Sequence, residues 1–182
     1  MTLSRGRLLV IVGAIGFLTL GSLAAASVMR GHVGIGPSLR LANCGPKSPK
    51  GAIVNVTLAD GGGMMMGGGN VMMVSLGASR DTVAAGTVTF VATNVGALTH
   101  ELLILPAPTG GIGTRAVGSN GKVDEAASLG EASSSCGRGP GSGISPGTTS
   151  WVTLRLAPGN YELLCDEPWH YANGMFSGFT VR

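Results

Sequence analysis

The stretch that decides the fold is Asn160-Tyr161-Glu162-Leu163-Leu164-Cys165-Asp166-Glu167-Pro168-Trp169-His170-Tyr171-Ala172-Asn173-Gly174-Met175-Phe176-Ser177-Gly178-Phe179-Thr180-Val181. Its two ends, Asn160–Cys165 and Phe176–Val181, suit strands, and the residues between them form a connecting loop. That loop carries a thiol, an imidazole and a thioether at the spacing C-x4-H-x4-M, from Cys165 through His170 to Met175.

Working outward, the same kind of segment recurs. Trp151–Leu156 alternates apolar and polar residues with period two, and Val88–Asn94 follows a turn at Ala85-Gly86. Leu102–Leu105 is short, apolar and closed by Pro106, while Ala52–Leu58 is β-branched and Val71–Leu76 is a further candidate. About seven short strands with turn signals every ten or so residues indicate an all-β sandwich. Residues 106–122 and 137–147 read as loops, and Val123–Ser135 as one short helix within an insertion. Residues 60–70, with Gly61-Gly62-Gly63, Met64-Met65-Met66 and Gly67-Gly68-Gly69, are low-complexity sequence and read as a loop.

Composition narrows the function. The chain has 182 residues, 44% hydrophobic and only 12% charged, with 32 glycines that follow no three-residue period. One ordinary domain with extensions fits this; a coiled coil, collagen or a highly charged disordered chain does not. The net charge of +3 divides unevenly. Residues 1–50 hold six basic and no acidic residues, whereas residues 51–182 hold six basic against nine acidic residues, a net of −3. The body carries no basic stripe, which argues against a nucleic-acid partner.

The positive charge belongs to the leader and linker. Arg5 and Arg7 precede an uncharged apolar run from Leu8 to about Met29. Ala24-Ala25-Ala26 suits cleavage of a signal peptide after Ala26, and the length of the run equally suits an uncleaved membrane anchor. A lipobox at Leu41-Ala42-Asn43-Cys44 is a weaker third reading. All three place the body outside the cytoplasmic membrane of a prokaryote. The expected organisation is a signal peptide or anchor over 1–29, a flexible Gly/Pro-rich linker over 30–50, and one domain over 51–182.

The loop motif acquires chemical meaning with His100, which lies just before the Leu102–Leu105 strand. Two imidazoles, one thiolate and one thioether form a soft donor set that selects copper, and His2Cys with a weak axial Met is an electron-transfer geometry. With this set the chain resembles the cupredoxins, the small blue copper proteins. Its C-x4-H-x4-M loop is similar to that of sulfocyanin and rusticyanin, and Pro168 two residues before His170 resembles azurin-type loops. The stretch Asn94-x-Gly96-x-x-x-His100 resembles the family's first-ligand motif. The resemblance implies one type 1 copper held by His100, Cys165, His170 and Met175. It implies a Greek-key β-sandwich and a one-electron carrier, not an enzyme, working between a donor and an acceptor protein. One position departs from the pattern: Glu101 stands where many relatives carry Asn, which leaves the side-chain bracing of the ligand loops open.

Ala97, Leu98, Trp169 and Tyr171 flank the two histidines and are expected to form an apolar rim for partner docking. Outside the cytoplasm the two remaining cysteines, Cys44 and Cys136, are expected to pair; the other reading is free or lipidated thiols. The rival function rests on Met64, Met65 and Met66, which with Met72 and Met73 offer thioethers to Cu(I), as a Met-rich copper chaperone or sequestration protein would. With only three histidines in the chain, the extra His clusters of multicopper oxidases are lacking.

Overall fold

The computed structural model describes residues 44–61 and 73–182. The strands among them are β1 (Ala52–Asp60), β2 (Val74–Ala78), β3 (Thr82–Val83), β4 (Gly86–Asn94), β5 (Leu102–Pro106), β6 (Gly130–Ala132), β7 (Thr149–Leu156), β8 (Gly159–Leu164) and β9 (Phe176–Val181). They form two sheets, ordered β2-β1-β4-β7 and β3-β9-β8-β5-β6. Most neighbours are antiparallel; β1 with β4 and β3 with β9 are parallel. This is the all-β sandwich expected from the sequence. The apolar run Leu8–Met29, with its expected N-terminal helix, and Met64–Met66 lie outside the described residues.

The sandwich follows from period-two patterning. In β1, Val54, Val56 and Leu58 are buried while Ile53, Asn55 and Thr57 face outward. These three meet Val88, Phe90 and Ala92 of β4 and, across the sheets, Leu102, Ile104, Leu163 and Phe179. Phe90 and Phe179 join the layers edge to face, with ring centroids 5.2 Å apart.

β5 and β8 are buried on both faces. Leu103, Leu105 and Leu164 turn away from the main core and pack with Val123 and Tyr171 in a second cluster, so the segment after β5 covers the outer face of that sheet. A polar tie fastens it there. The carboxylate of Glu162, fully buried in β8, accepts the Gly113 amide at 2.6 Å, Arg115 Nε at 2.5 Å and the Tyr171 hydroxyl at 3.2 Å. Those partners offset the cost of burying the charge.

The expected helix over Val123–Ser135 does not form. The Val123 amide is bonded to Asp166 Oδ1 at 2.7 Å, and Asp124 Oδ1 turns back to the Ala126 amide at 2.9 Å. Beyond that turn Gly130–Ala132 pairs with β5 as β6. Asx turns and tertiary pairing therefore take the backbone bonds a helix would need. The sole helical element among the described residues is a 3-10 turn, Tyr171–Asn173. Cys44 and Cys136 form a disulfide, with Cα atoms 5.2 Å apart. It staples the end of the linker to the segment between β6 and β7.

Candidate metal centre

Two elements bring the donor atoms together at one end of the sandwich. The first is the turn from β4 to β5. Asn94, fully buried, holds it with three side-chain bonds: Nδ2 donates to the carbonyls of Leu98 and Ile144, each at 2.7 Å, and Oδ1 accepts the Gly96 amide at 2.9 Å. His100 then pairs with Ile144 through backbone bonds in both directions, at 3.3 and 2.6 Å. Its backbone is thus fixed by Ile144 and by the turn that Asn94 holds, and its ring is placed by Asp60 Oδ1, 2.9 Å from Nε2.

The second element is the loop 165–175, which closes on itself. The Cys165 amide donates to the Met175 carbonyl at 3.0 Å, Met175 N to His170 O at 3.1 Å, and His170 N to Glu167 O at 2.9 Å. Gly174 takes a left-handed conformation with φ of 90° to close the 3-10 turn. Trp169 also lies there, at φ of 70°, which strains a residue bearing a Cβ. Its amide is bonded to the Gly121 carbonyl at 2.8 Å, and a Cβ on Gly121 would stand 2.8 Å from that amide nitrogen. Gly121 is thus the residue that lets the insertion approach the ligand loop.

These elements bring together three of the four residues singled out from the sequence. His100 Nδ1 and His170 Nδ1 are 3.2 Å apart, and Cys165 Sγ lies 3.3 Å from His170 Nδ1 and 3.9 Å from His100 Nδ1. All three residues are buried: His100 and Cys165 completely, His170 to 4% exposure. Met175, also fully buried, follows His170 through the backbone bond just described.

Burial governs the electrostatics. It pushes the Cys165 thiol up to about 12, against the bonds from the Glu101 and Glu167 amides that favour the thiolate. It pulls His170 down to about 4, with His100 adding to the effect, and it lowers His100 against the pull of Asp60. The site therefore offers neutral imidazoles, and a bound metal replaces the thiol proton. Two imidazole nitrogens and one sulfur converging in a buried pocket fit a soft, thiophilic metal.

The side chain of Glu101 does not brace the ligand loops to one another. Its amide donates to Cys165 Sγ at 3.4 Å, but its carboxylate turns towards Lys122 Nζ, 3.7 Å away. Burial pushes that carboxyl up to about 7, opposed by Lys122. The rim also differs in part from expectation. Trp169 and Leu98 are exposed, at 51% and 42%, and Ala97 is exposed beside them. Tyr171 is buried, because its hydroxyl is drawn inward to Glu162 and receives the Arg115 amide at 3.1 Å.

One residue of the site had no signal in the sequence reading. Asp60, the last residue of β1, places Oδ1 2.9 Å from His100 Nε2. It became visible only through the parallel register that sets Leu58 opposite Asn94.

Compared with known families, residues 72–182 match the sulfocyanin (SoxE) domain. No curated protein matches the chain in sequence. Among solved structures, dithionite-reduced auracyanin from Roseiflexus castenholzii is 22% identical with a TM-score of 0.44, over 74% of this chain and 99% of that one. Rusticyanin from Thiobacillus ferrooxidans is 19% identical with a TM-score of 0.42, over 73% and 79%. Auracyanin A, a "blue" copper protein from Chloroflexus aurantiacus, is 17% identical with a TM-score of 0.42, over 72% and 100%. The His100, Cys165 and His170 group fits one type 1 copper ion. The family match spans more than half of the sequence, and the chain belongs to the sulfocyanin family of cupredoxins, copper proteins that carry electrons.

Proposed function

We propose that the protein is a one-electron carrier working outside the cytoplasmic membrane. His100, Cys165 and His170 would hold a copper ion, with Met175 as a weak fourth donor. The observation that carries this reading is the convergence of His100 Nδ1, His170 Nδ1 and Cys165 Sγ within 3.9 Å in a buried pocket. When bound, copper supplies a one-electron couple there. The protein supplies the rest: the Glu101 amide supports the sulfur, Asn94 and the self-bonded loop fix the two ligand arms, and burial excludes water.

Of the three residues, His170 reaches nearest to solvent. Trp169, its neighbour in the chain, and Leu98 and Ala97, on the turn that carries His100, are exposed and apolar, which suits brief contact with donor and acceptor proteins, since redox partners dock through small, weakly held interfaces. The location is supported by the Cys44–Cys136 disulfide, a bond that persists in oxidising compartments, and by the apolar run Leu8–Met29. On this reading residues 1–29 are a signal peptide or an anchor, 30–50 a linker and 51–182 the copper domain.

Two variants test carrier against chaperone. Leu98→Lys should slow electron self-exchange by placing like charges at the contact, measured by stopped-flow reduction. Replacing Met64, Met65 and Met66 together with Leu should leave exchange and copper retention against a Cu(I) chelator unchanged. The reverse pair of results, lost Cu(I) transfer in the Met variant and full exchange in Leu98→Lys, would establish the chaperone instead.

A further inference from the structure

We infer that Asp60 is a positioning residue for the copper centre: it fixes which nitrogen of His100 faces the metal, and its charge favours Cu(II) over Cu(I). This rests on the reading of His100 as a ligand. The carboxylate is held in place before it meets the histidine. Oδ1 accepts the Leu98 amide at 2.8 Å and Oδ2 accepts the Ala97 amide at 3.0 Å. Oδ1 also stands 2.9 Å from His100 Nε2, with the Asp60 side chain only 7% exposed.

The site is built to admit this carboxylate. A Cβ on Gly96 would come within 2.0 Å of Asp60 Oδ1 and 2.7 Å of the Asp60 backbone nitrogen. Gly96 therefore provides the space that lets β1 reach the histidine from the parallel neighbour of β4. Asp60, Gly96 and His100 act as one set, drawn from the end of β1 and the turn between β4 and β5.

The consequence for the histidine is geometric. A carboxylate oxygen already receiving a backbone amide can only accept from the ring, so Nε2 carries the hydrogen. Nδ1 is then left as a lone pair, and it is Nδ1 that faces His170 and Cys165. Carboxylate partners of this kind orient ligand histidines and raise their basicity. A stronger, more anionic donor stabilises the higher charge of Cu(II) more than that of Cu(I), so Asp60 lowers the reduction potential.

The test reads the tautomer in the metal-free protein and the redox equilibrium in the copper-loaded one. In the unmutated apoprotein, nitrogen NMR should show His100 as the Nε2–H tautomer, and Asp60→Ala should mix the two tautomers. Asp60→Asn keeps an acceptor oxygen but removes the charge. It should shift the Cu(II)/Cu(I) equilibrium towards Cu(I) about tenfold, which is 59 mV for a one-electron couple. An Nδ1–H tautomer in the unmutated apoprotein overturns the inference, and because that reading needs no variant, it decides even where Asp60→Asn fails to fold. A folded Asp60→Asn protein within twofold of the parent equilibrium overturns it as well. Should His100 not be a ligand, His100→Ala would stay blue, an outcome distinct from either.

Discussion

The two arms of the metal site are built by opposite means. The arm carrying Cys165, His170 and Met175 is one loop whose backbone bonds run from Cys165 to Met175, from Met175 to His170 and from His170 to Glu167. The arm carrying His100 has no such backbone bonds of its own, and its local support is the Asn94 side chain, bonded to the Gly96 amide and the Leu98 carbonyl. It is held by Asp60 of β1, by Asn94, and by Ile144 from the segment before β7. The loop arm gathers three kinds of donor on eleven consecutive residues, whereas the His100 arm places a single donor with contacts from across the sequence. Rigidity of the whole centre thus depends on the sandwich for one ligand and on a short closed loop for the others.

The disulfide is the first place to break that contrast. Cys136 lies in the segment that also supplies Ile144 to His100. Removing the bridge with Cys44→Ser and Cys136→Ser frees a closure of 92 residues. This should cost about 4.6 kcal/mol in the chain-entropy model, read by denaturant unfolding. The blue colour should persist in the folded protein, because the loop arm does not use this segment. A stability unchanged within error would show that the staple does not support the fold.

A smaller loss is expected from Asn94→Ala. It removes three side-chain bonds: the Leu98 carbonyl and the Gly96 amide lose their partner, and the Ile144 carbonyl keeps only the His100 amide. The expected cost is about 1–3 kcal/mol. Copper affinity should fall with it, since the turn carrying His100 loses its clamp. If copper is retained at parent affinity while stability drops, the His100 arm is less dependent on Asn94 than its hydrogen bonds imply.

Met175→Leu touches only the loop arm and should have the mildest effect. The volume is nearly conserved, so folding should change little. The colour should remain and the reduction potential should rise, because losing a weak thioether donor favours Cu(I). Redox titration that found a lower potential would remove Met175 from the ligand set.

The same contrast explains what could be read from the sequence. The C-x4-H-x4-M spacing was legible because the loop that realises it is local. The seven stronger strands were legible from β-branched, apolar or alternating runs, as in Ala52–Leu58, Leu102–Leu105 and Trp151–Leu156. Asp60 was not, since it meets His100 across 40 residues through a parallel pairing that no periodicity reports. Two-residue β3 and three-residue β6 are too short to carry a pattern. Val123–Ser135 has a composition that a helix tolerates, but Asp166 and β5 claim its backbone. Tyr171 reads as a rim aromatic from its position, yet the buried Glu162 draws its hydroxyl inward.

The most direct measurement is the visible spectrum of the unmutated protein loaded with Cu(II), taken beside Cys165→Ser. The ligand assignment predicts an intense blue colour with one copper per chain, lost in Cys165→Ser while circular dichroism still reports the folded sandwich. A parent protein that binds Cu(II) without colour, or a Cys165→Ser protein that stays blue, would contradict it.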